Sequence, residues 1–208
     1  MTAPIRVAKR NDWAGSDPKL LHGELGQESD TAALKIGDGL RNWNKLPYFG
    51  CPGYWASFWD LTSQTAVANT PTTILLRSAD LDNSGISIAS NTTITLAYAG
   101  VYSITFSIQF TNSDTSIHDI NVWLRRNGTN VVASDSRFSI TSSHGGIDGN
   151  VIGTVNFVLK LAAADYLELI WATSNAAAYI HAEVAQTSPF AHPSIPGIIC
   201  TIVQVASA

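Results

Sequence analysis

The sequence is short of charge, of cysteine and of methionine. Asp, Glu, Lys and Arg make up 13% of its 208 residues, about half of what a soluble domain usually carries. The shortage is uneven. Residues 1–60 balance seven cations against seven anions, whereas residues 61–208 carry five against nine, so the net charge of −4 sits in the second part. This excludes the basic stripe that holds nucleic acid and the polybasic face that holds anionic lipid. No apolar run approaches the roughly 20 residues of a membrane-spanning helix. The opening "MTAPIRVAKRNDW" has basic residues but no apolar core behind them, so it does not read as a signal peptide, and synthesis in a cytoplasm is expected. The two cysteines, Cys51 and Cys200, stand far apart without a Cys-x-x-Cys spacing. Both are expected to be reduced and buried, with a disulfide between them as the alternative.

Catalytic signatures are missing too. There is no Gly-x-Ser-x-Gly, no His-Glu-x-x-His and no phosphate loop. Asp165 and Glu168 are near in sequence, but Asp165 is expected in a turn, which gives no basis for placing the two as a glycosidase pair. His118, Asp119, His144 and His181 suggest no nucleophile–base arrangement. The stretch from Asp80 through Asp82 and Ser84 to Gly85 imitates the start of a calcium loop, but its twelfth position is Asn91 instead of Glu, and a plain turn is expected. These absences lead to the expectation of a protein that is not an enzyme and carries no cofactor or metal. No internal repeat of 20–50 residues is present, which disfavours propellers and solenoids.

What the sequence has in abundance is alternation. In "GVYSITFSIQF", Tyr102, Ile104, Phe106, Ile108 and Phe110 alternate with Ser103, Thr105, Ser107 and Gln109, the period-two mark of a half-buried strand. Ile120, Val122 and Leu124 repeat the pattern, and Asn127-Gly128 then signals a hairpin. Val151, Gly153, Val155, Phe157, Leu159 and Leu161 share one face, a turn follows at 162–165, and another strand runs over 166–171. Further strands are expected in "AAYIHAEVAQ" and "GIICTIVQVA", and weaker ones in "TTILLR" and "SGISIA". "QTSPFAHPSIPG", with three prolines, is expected to be a fixed surface connection. The pattern predicts an all-β antiparallel sandwich of about 8–10 strands over 61–208, with Tyr102, Ile104, Phe106, Ile108, Phe157 and Leu159 in its core. Loops on such a scaffold carry binding diversity. Asn112–Asp119 and Ser142–Asn150 are the candidate display loops, with Asn112, Asp119, His144 and Asp148 as their polar residues.

Residues 1–50 differ in texture, being charged and turn-rich, and are expected to form a small all-β module in which the glycines permit tight turns between very short strands. Residues 51–60, "CPGYWASFWD", are aromatic and read as a junction, with Tyr48, Phe49, Tyr54, Trp55, Phe58 and Trp59 as a packing seam more readily than a sugar platform.

Two resemblances follow from these motifs. Gly100-Val101-Tyr102, Arg126-Asn127-Gly128, the strand up to Ala164-Asp165 and the closing "PGIICTIVQVA" resemble, in that order, the jelly-roll heads of the complement-type and tumour-necrosis-factor superfamily. Ala164 stands where that family has glycine. The opening segment resembles a module of tail-fibre and receptor-binding proteins of tailed bacteriophages. The matching positions are Trp13, Pro18, Leu20, Gly23-Glu24-Leu25-Gly26, Asp30-Thr31, Leu34 through Gly37-Asp38-Gly39, Trp43-Asn44 and Leu46-Pro47-Tyr48. Together the resemblances imply an attachment and trimerisation module in front of a homotrimeric jelly-roll head, on a virion surface. They imply docking to other virion proteins through the module, and contact of the head with a host-surface glycan or protein. A tail-fibre tip is the first reading, and a capsid decoration or head-fibre protein the alternative. A glycan-binding adhesin or a glycan-degrading enzyme on a fibre is a more distant one.

Overall fold

A computed structural model describes residues 5–49 and 53–207. The chain opens with β1 (Ile5–Ala8), helix α1 (Arg10–Ser16), β2 (Leu25–Glu28), β3 (Leu34–Ile36) and a 3-10 turn at Trp43–Lys45. The three strands form one small sheet in the order β1-β2-β3, with β1 parallel to β2 and β3 antiparallel to it. The helix has no counterpart in the expectation of a purely β module. It is seven residues long and buries a single side chain, Trp13, so it leaves no apolar stripe to read. Its first amide is capped from a distance, Arg10 N–H donating to Asp30 Oδ1 at 2.9 Å. It ends where Asp17 turns left-handed ahead of Pro18.

The remainder is β4 (Trp55–Asp60), β5 (Thr72–Thr73), β6 (Ser78–Ala79), β7 (Ile86–Ala89), β8 (Thr93–Leu96), β9 (Gly100–Asn112), β10 (His118–Arg126), β11 (Thr129–Asn130), β12 (Ser136–Ile140), β13 (Gly149–Leu161), β14 (Tyr166–Thr173), β15 (Ala178–Ile180) and β16 (Ile198–Ser207). They build two facing sheets. One runs β11-β10-β14-β8-β7 with β12 on β10 and β5 on β14. The other runs β13-β9-β16-β4-β6 with β15 on β9. All their pairings are antiparallel, so the expected all-β jelly-roll sandwich is what the structure shows. The strand count exceeds the expected 8–10 because β5, β6 and β11, two residues each, close sheet edges.

One boundary moves. Residues 55–60, expected as a junction, are a strand paired with β16 and β6. Ala56, Phe58 and Asp60 point into the sandwich while Trp55, Ser57 and Trp59 point out. The density of aromatics hid an ordinary period of two. The core fills as the alternation predicts. Tyr102, Ile104, Phe106, Ile108 and Phe110 are at most 1% exposed, and Phe157 and Leu159 pack against them half-buried from β13, a sheet edge. Cys200 is a buried free thiol, pushed up to about 12 by burial alone. Cys51 lies outside the described residues.

The turn into β14 shows what replaces the missing glycine. Ala164 takes the left-handed conformation itself, with φ 65°. Asp165 holds the turn, accepting from the Ala162 amide at 2.7 Å and the Asn127 side chain at 2.6 Å and pairing with Arg126 at 2.7 Å. Burial opposes ionisation of Asp165, but Asn127, the Ala162 amide and Arg126 outweigh it and hold its pKa below the ordinary carboxylate range. A Cβ in this backbone region is strained where glycine is free, so Ala164→Gly is expected to raise stability by about 0.5–1 kcal/mol. A urea midpoint below wild type would contradict this.

Candidate functional site

The opening module is built on two stacked indoles. Trp13 and Trp43 lie with ring centroids 4.1 Å apart and planes 12° from parallel, and Leu20 and Leu46 complete their buried cluster. Two glycines of the predicted pattern exist because there is no room for anything else. A Cβ on Gly26 would sit 2.5 Å from the Trp43 ring, and one on Gly37 would sit 2.1 Å from the Leu21 carbonyl oxygen. Gly23 and Gly39 instead supply left-handed turns. The acidic residues are turn and strand fasteners. Glu24 accepts from the Leu21 amide at 2.7 Å and lies 3.6 Å from Arg6. Asp38 accepts from the amides of Arg41 and Leu40 and from the Arg41 guanidinium. The Arg41 amide first, then its side chain and the Leu40 amide, hold Asp38 well below the usual carboxylate range. Leu25 begins β2, half-buried. Thus Trp13, Gly23, Glu24, Leu25, Gly26, Asp30, Gly37, Asp38, Gly39 and Trp43 are brought together as one folded unit.

Lys35 is the unit's odd member, a cation only 5% exposed. Its ammonium donates to the Trp43 carbonyl at 2.9 Å and stands 4.8 Å from the Trp43 ring centroid and 4.3 Å from that of Tyr48. Burial lowers its pKa, and the nearby Glu28 carboxylate partly restores it. Tyr48 donates its hydroxyl to Glu28 at 2.5 Å, and burial followed by that bond raises its pKa.

The module meets the sandwich through aromatic rings and one arginine. Tyr54 and Tyr98 stack at 4.1 Å, and the Arg10 guanidinium lies 4.1 Å over the Tyr98 ring. A cavity of about 390 Å³ remains in this seam, lined by Arg10, Lys35, Pro47, Tyr48, Tyr54 and Tyr98 among others. The predicted aromatic cluster therefore divides. Tyr48 and Tyr54 line the seam, Phe58 enters the core, Trp55 and Trp59 face outward from their sheet, and Phe49 is exposed.

The candidate display loops divide as well. Asn112 is fully buried and fastens its loop from inside, donating to the Ser116 carbonyl at 2.8 Å and accepting from the Asp114 amide at 3.0 Å. It is not a display residue, because the last residue of a long strand with its side chain inward must satisfy its amide within the protein. His118 pairs with Asp114 at 2.7 Å across the same loop. His144 and Asp148 are exposed at the tip of a tight turn closed by a bridge between His144 and Ile147. In the loop from Asp80, the Asp80 carboxylate accepts from the Asp82 amide and Asn83 accepts from the Ser57 amide, a turn that ties down β4. Among the described residues no group of three or more His, Cys, Asp or Glu side chains gathers as a metal site would.

Asp119 stands elsewhere than on a loop tip. It is the outward residue of β10, in line with Asn121 and Trp123 while Ile120, Val122 and Leu124 point inward. With Arg137 of β12 and Ala172 of β14 these residues line a groove of about 460 Å³ on the outside of the seven-stranded sheet. The alternation carried the signal for this face, because its polar positions include a tryptophan.

No family model matches the chain. A curated relative, a hyaluronoglucosaminidase of Streptococcus pyogenes phage H4489A, is 47% identical over 53 residues, which take in 24% of this chain and 14% of the relative. The chain thus shares a segment with a phage protein of which it spans a small part. Among solved structures, the Eiger TNF of S. frugiperda aligns with 75% of this chain and 94% of its own length, at 15% identity and a TM-score of 0.48. The curated relative is an enzyme, and this overturns the expectation of a non-enzymatic protein drawn above from missing motifs. Motif absence excludes only chemistries with a local signature. Glycoside hydrolysis needs two carboxylates whose separation is set by the fold and leaves no such signature.

Proposed function

We propose that the chain is a surface component of a phage particle, in which the opening module attaches and the sandwich is presented as a homotrimeric head that contacts the host surface. The observation that carries this reading is the 47% identity with a phage protein over 53 residues, a length close to that of the opening module. The relative's name denotes an enzyme acting on hyaluronan, an extracellular polysaccharide, and this favours a host-facing position on the tail over a capsid decoration.

The trimer rests on the outward face of the six-stranded sheet. Along β9 it presents Ser103, Thr105, Ser107 and Gln109, and β16 adds Ile199, Thr201 and Val203. From β13 come Ile152 and Val158, at least 60% exposed. Lys160 is the one formal charge at the outward positions of these strands among the described residues. A broad sheet face of hydroxyl-bearing and aliphatic side chains, nearly free of charge, suits burial against copies of itself. Light scattering is expected to give about three times the 22.2 kDa of one chain. Val158→Asp places an unpaired carboxylate at each copy of the contact and should reduce the mass to that of one chain with the fold intact. A wild-type monomer at micromolar concentration would refute the trimer.

A further inference from the structure

We propose that the groove on the outside of the seven-stranded sheet is a binding site for a neutral saccharide bearing adjacent hydroxyl groups. The inference rests on the reading of the sandwich as the host-facing part and names what that part recognises. The groove lies on the face opposite the proposed trimer contact, so assembly would leave it open.

Its centre is Trp123. The side chain is half-buried, and its cross-strand partner on β14 is Ile170, itself buried. The indole N–H donates to Asn130 Oδ1 at 3.0 Å, which fixes the ring in place. Trp123 lines two grooves, the one of about 460 Å³ and a second of about 290 Å³ that shares Trp123 and Asp135 with it. Their sizes suit a small organic ligand. A fixed aromatic ring between two recesses offers an apolar platform to the carbon face of a sugar ring at little entropic cost.

Polar groups surround the ring, and they are held by one another. Asn121 donates to both oxygens of Asp135, at 3.1 and 2.9 Å. Asp119 accepts from the Ser139 hydroxyl at 2.6 Å, and its other oxygen lies 3.9 Å from Arg137. Each carboxylate has acceptor capacity left, and Arg137, 68% exposed at its side chain, has most of its five donors free for a ligand. Planar acceptors beside a planar donor fork match the pattern of neighbouring hydroxyls, each of which both donates and accepts. The charge balance narrows the class. Asp119 and Asp135 outnumber Arg137 in the groove, so a polyanionic chain would meet net repulsion and a neutral one would not.

The test is a saturation-transfer NMR titration of the full chain with three probes: maltotriose, triacetylchitotriose and a hyaluronan tetrasaccharide as the anionic comparison. At least one neutral probe is expected to bind, and more tightly than the hyaluronan tetrasaccharide. Trp123→Ala should weaken that binding about tenfold or more. Arg137→Ala, at an exposed position that leaves the fold alone, should weaken it less. Val158→Asp, on the other face, should leave it unchanged. Binding of the anionic probe alone, binding of no neutral probe, or wild-type affinity in both groove variants would each overturn the proposal. A chain that binds a neutral probe in this way but is monomeric would refute the proposed trimer and leave the groove standing.

Discussion

Phe106→Ala is expected to lower the stability of the sandwich by about 3–5 kcal/mol, while Thr105→Ala costs no more than about 1 kcal/mol. The two residues are neighbours on one strand and face opposite ways. Phe106 is 0% exposed, paired across strands with Val155 of β13 and Cys200 of β16, with its ring 6.2 Å from that of Phe157. β9 is bonded along its length on both sides, so neither the strand nor its neighbours can slide in to close the cavity left by the ring. Thr105 points away from the core, and its hydroxyl accepts from the Asn156 side chain at 2.7 Å near the surface, where water can replace it. For a chain of this length the phenylalanine variant should melt roughly 6–20 °C below wild type. The comparison is best made in the Val158→Asp background, where the outward face is solvated. Equal losses at the two positions in that background would mean that the inward and outward faces are assigned wrongly.

Trp43→Ala is expected to unfold the opening module by removing about 3–5 kcal/mol from a unit with little else to hold it. Among the described residues its buried cluster has four members, Trp13, Leu20, Trp43 and Leu46. The substitution removes the ring that Trp13 stacks on, the ring that fills the space above Gly26 and one of the two rings beside the Lys35 ammonium. The loss of packing thus falls together with the exposure of a buried cation's surroundings. The sandwich has its own core and should stay folded. Limited proteolysis should therefore cut within residues 1–50 of the variant and spare the rest. On phage particles, antibody labelling should find the wild-type chain at the tail and the variant absent. Normal incorporation of a variant whose module is cleaved would refute attachment through the module.

The alternation of β9, β10 and β13 made the sandwich legible, because a strand with one buried face writes its orientation into every second residue. The Asn127-Gly128 hairpin was legible for a similar reason, since φ values of 49° and 78° suit those two residues and few others. The module's glycine pattern was visible but its cause was not. Nothing in the sequence says that Gly37 must clear the Leu21 carbonyl, a contact between turns sixteen residues apart. Helix α1 left no stripe because only one of its side chains is buried. Residues 55–60 hid a core strand behind three aromatics, and Asn112 looked like a loop residue because a polar side chain at a strand end gives no hint that it points inward.

By itself the sequence determined the class of fold, the inward face of the long strands, the dense turns of the opening module and the poverty of charge on the head, since each of these is a property of local order or of composition. The tertiary structure alone decided the rest. It set the Trp13–Trp43 stack, the Arg10 and tyrosine seam between module and sandwich, and the burial of Lys35. It also brought Asp119, Asn121, Trp123, Asp135 and Arg137 into one groove from different strands and the turn between them. Such sites depend on which strands lie side by side, and pairing is fixed by the joint burial of two sheets, a condition that no short stretch of chain contains.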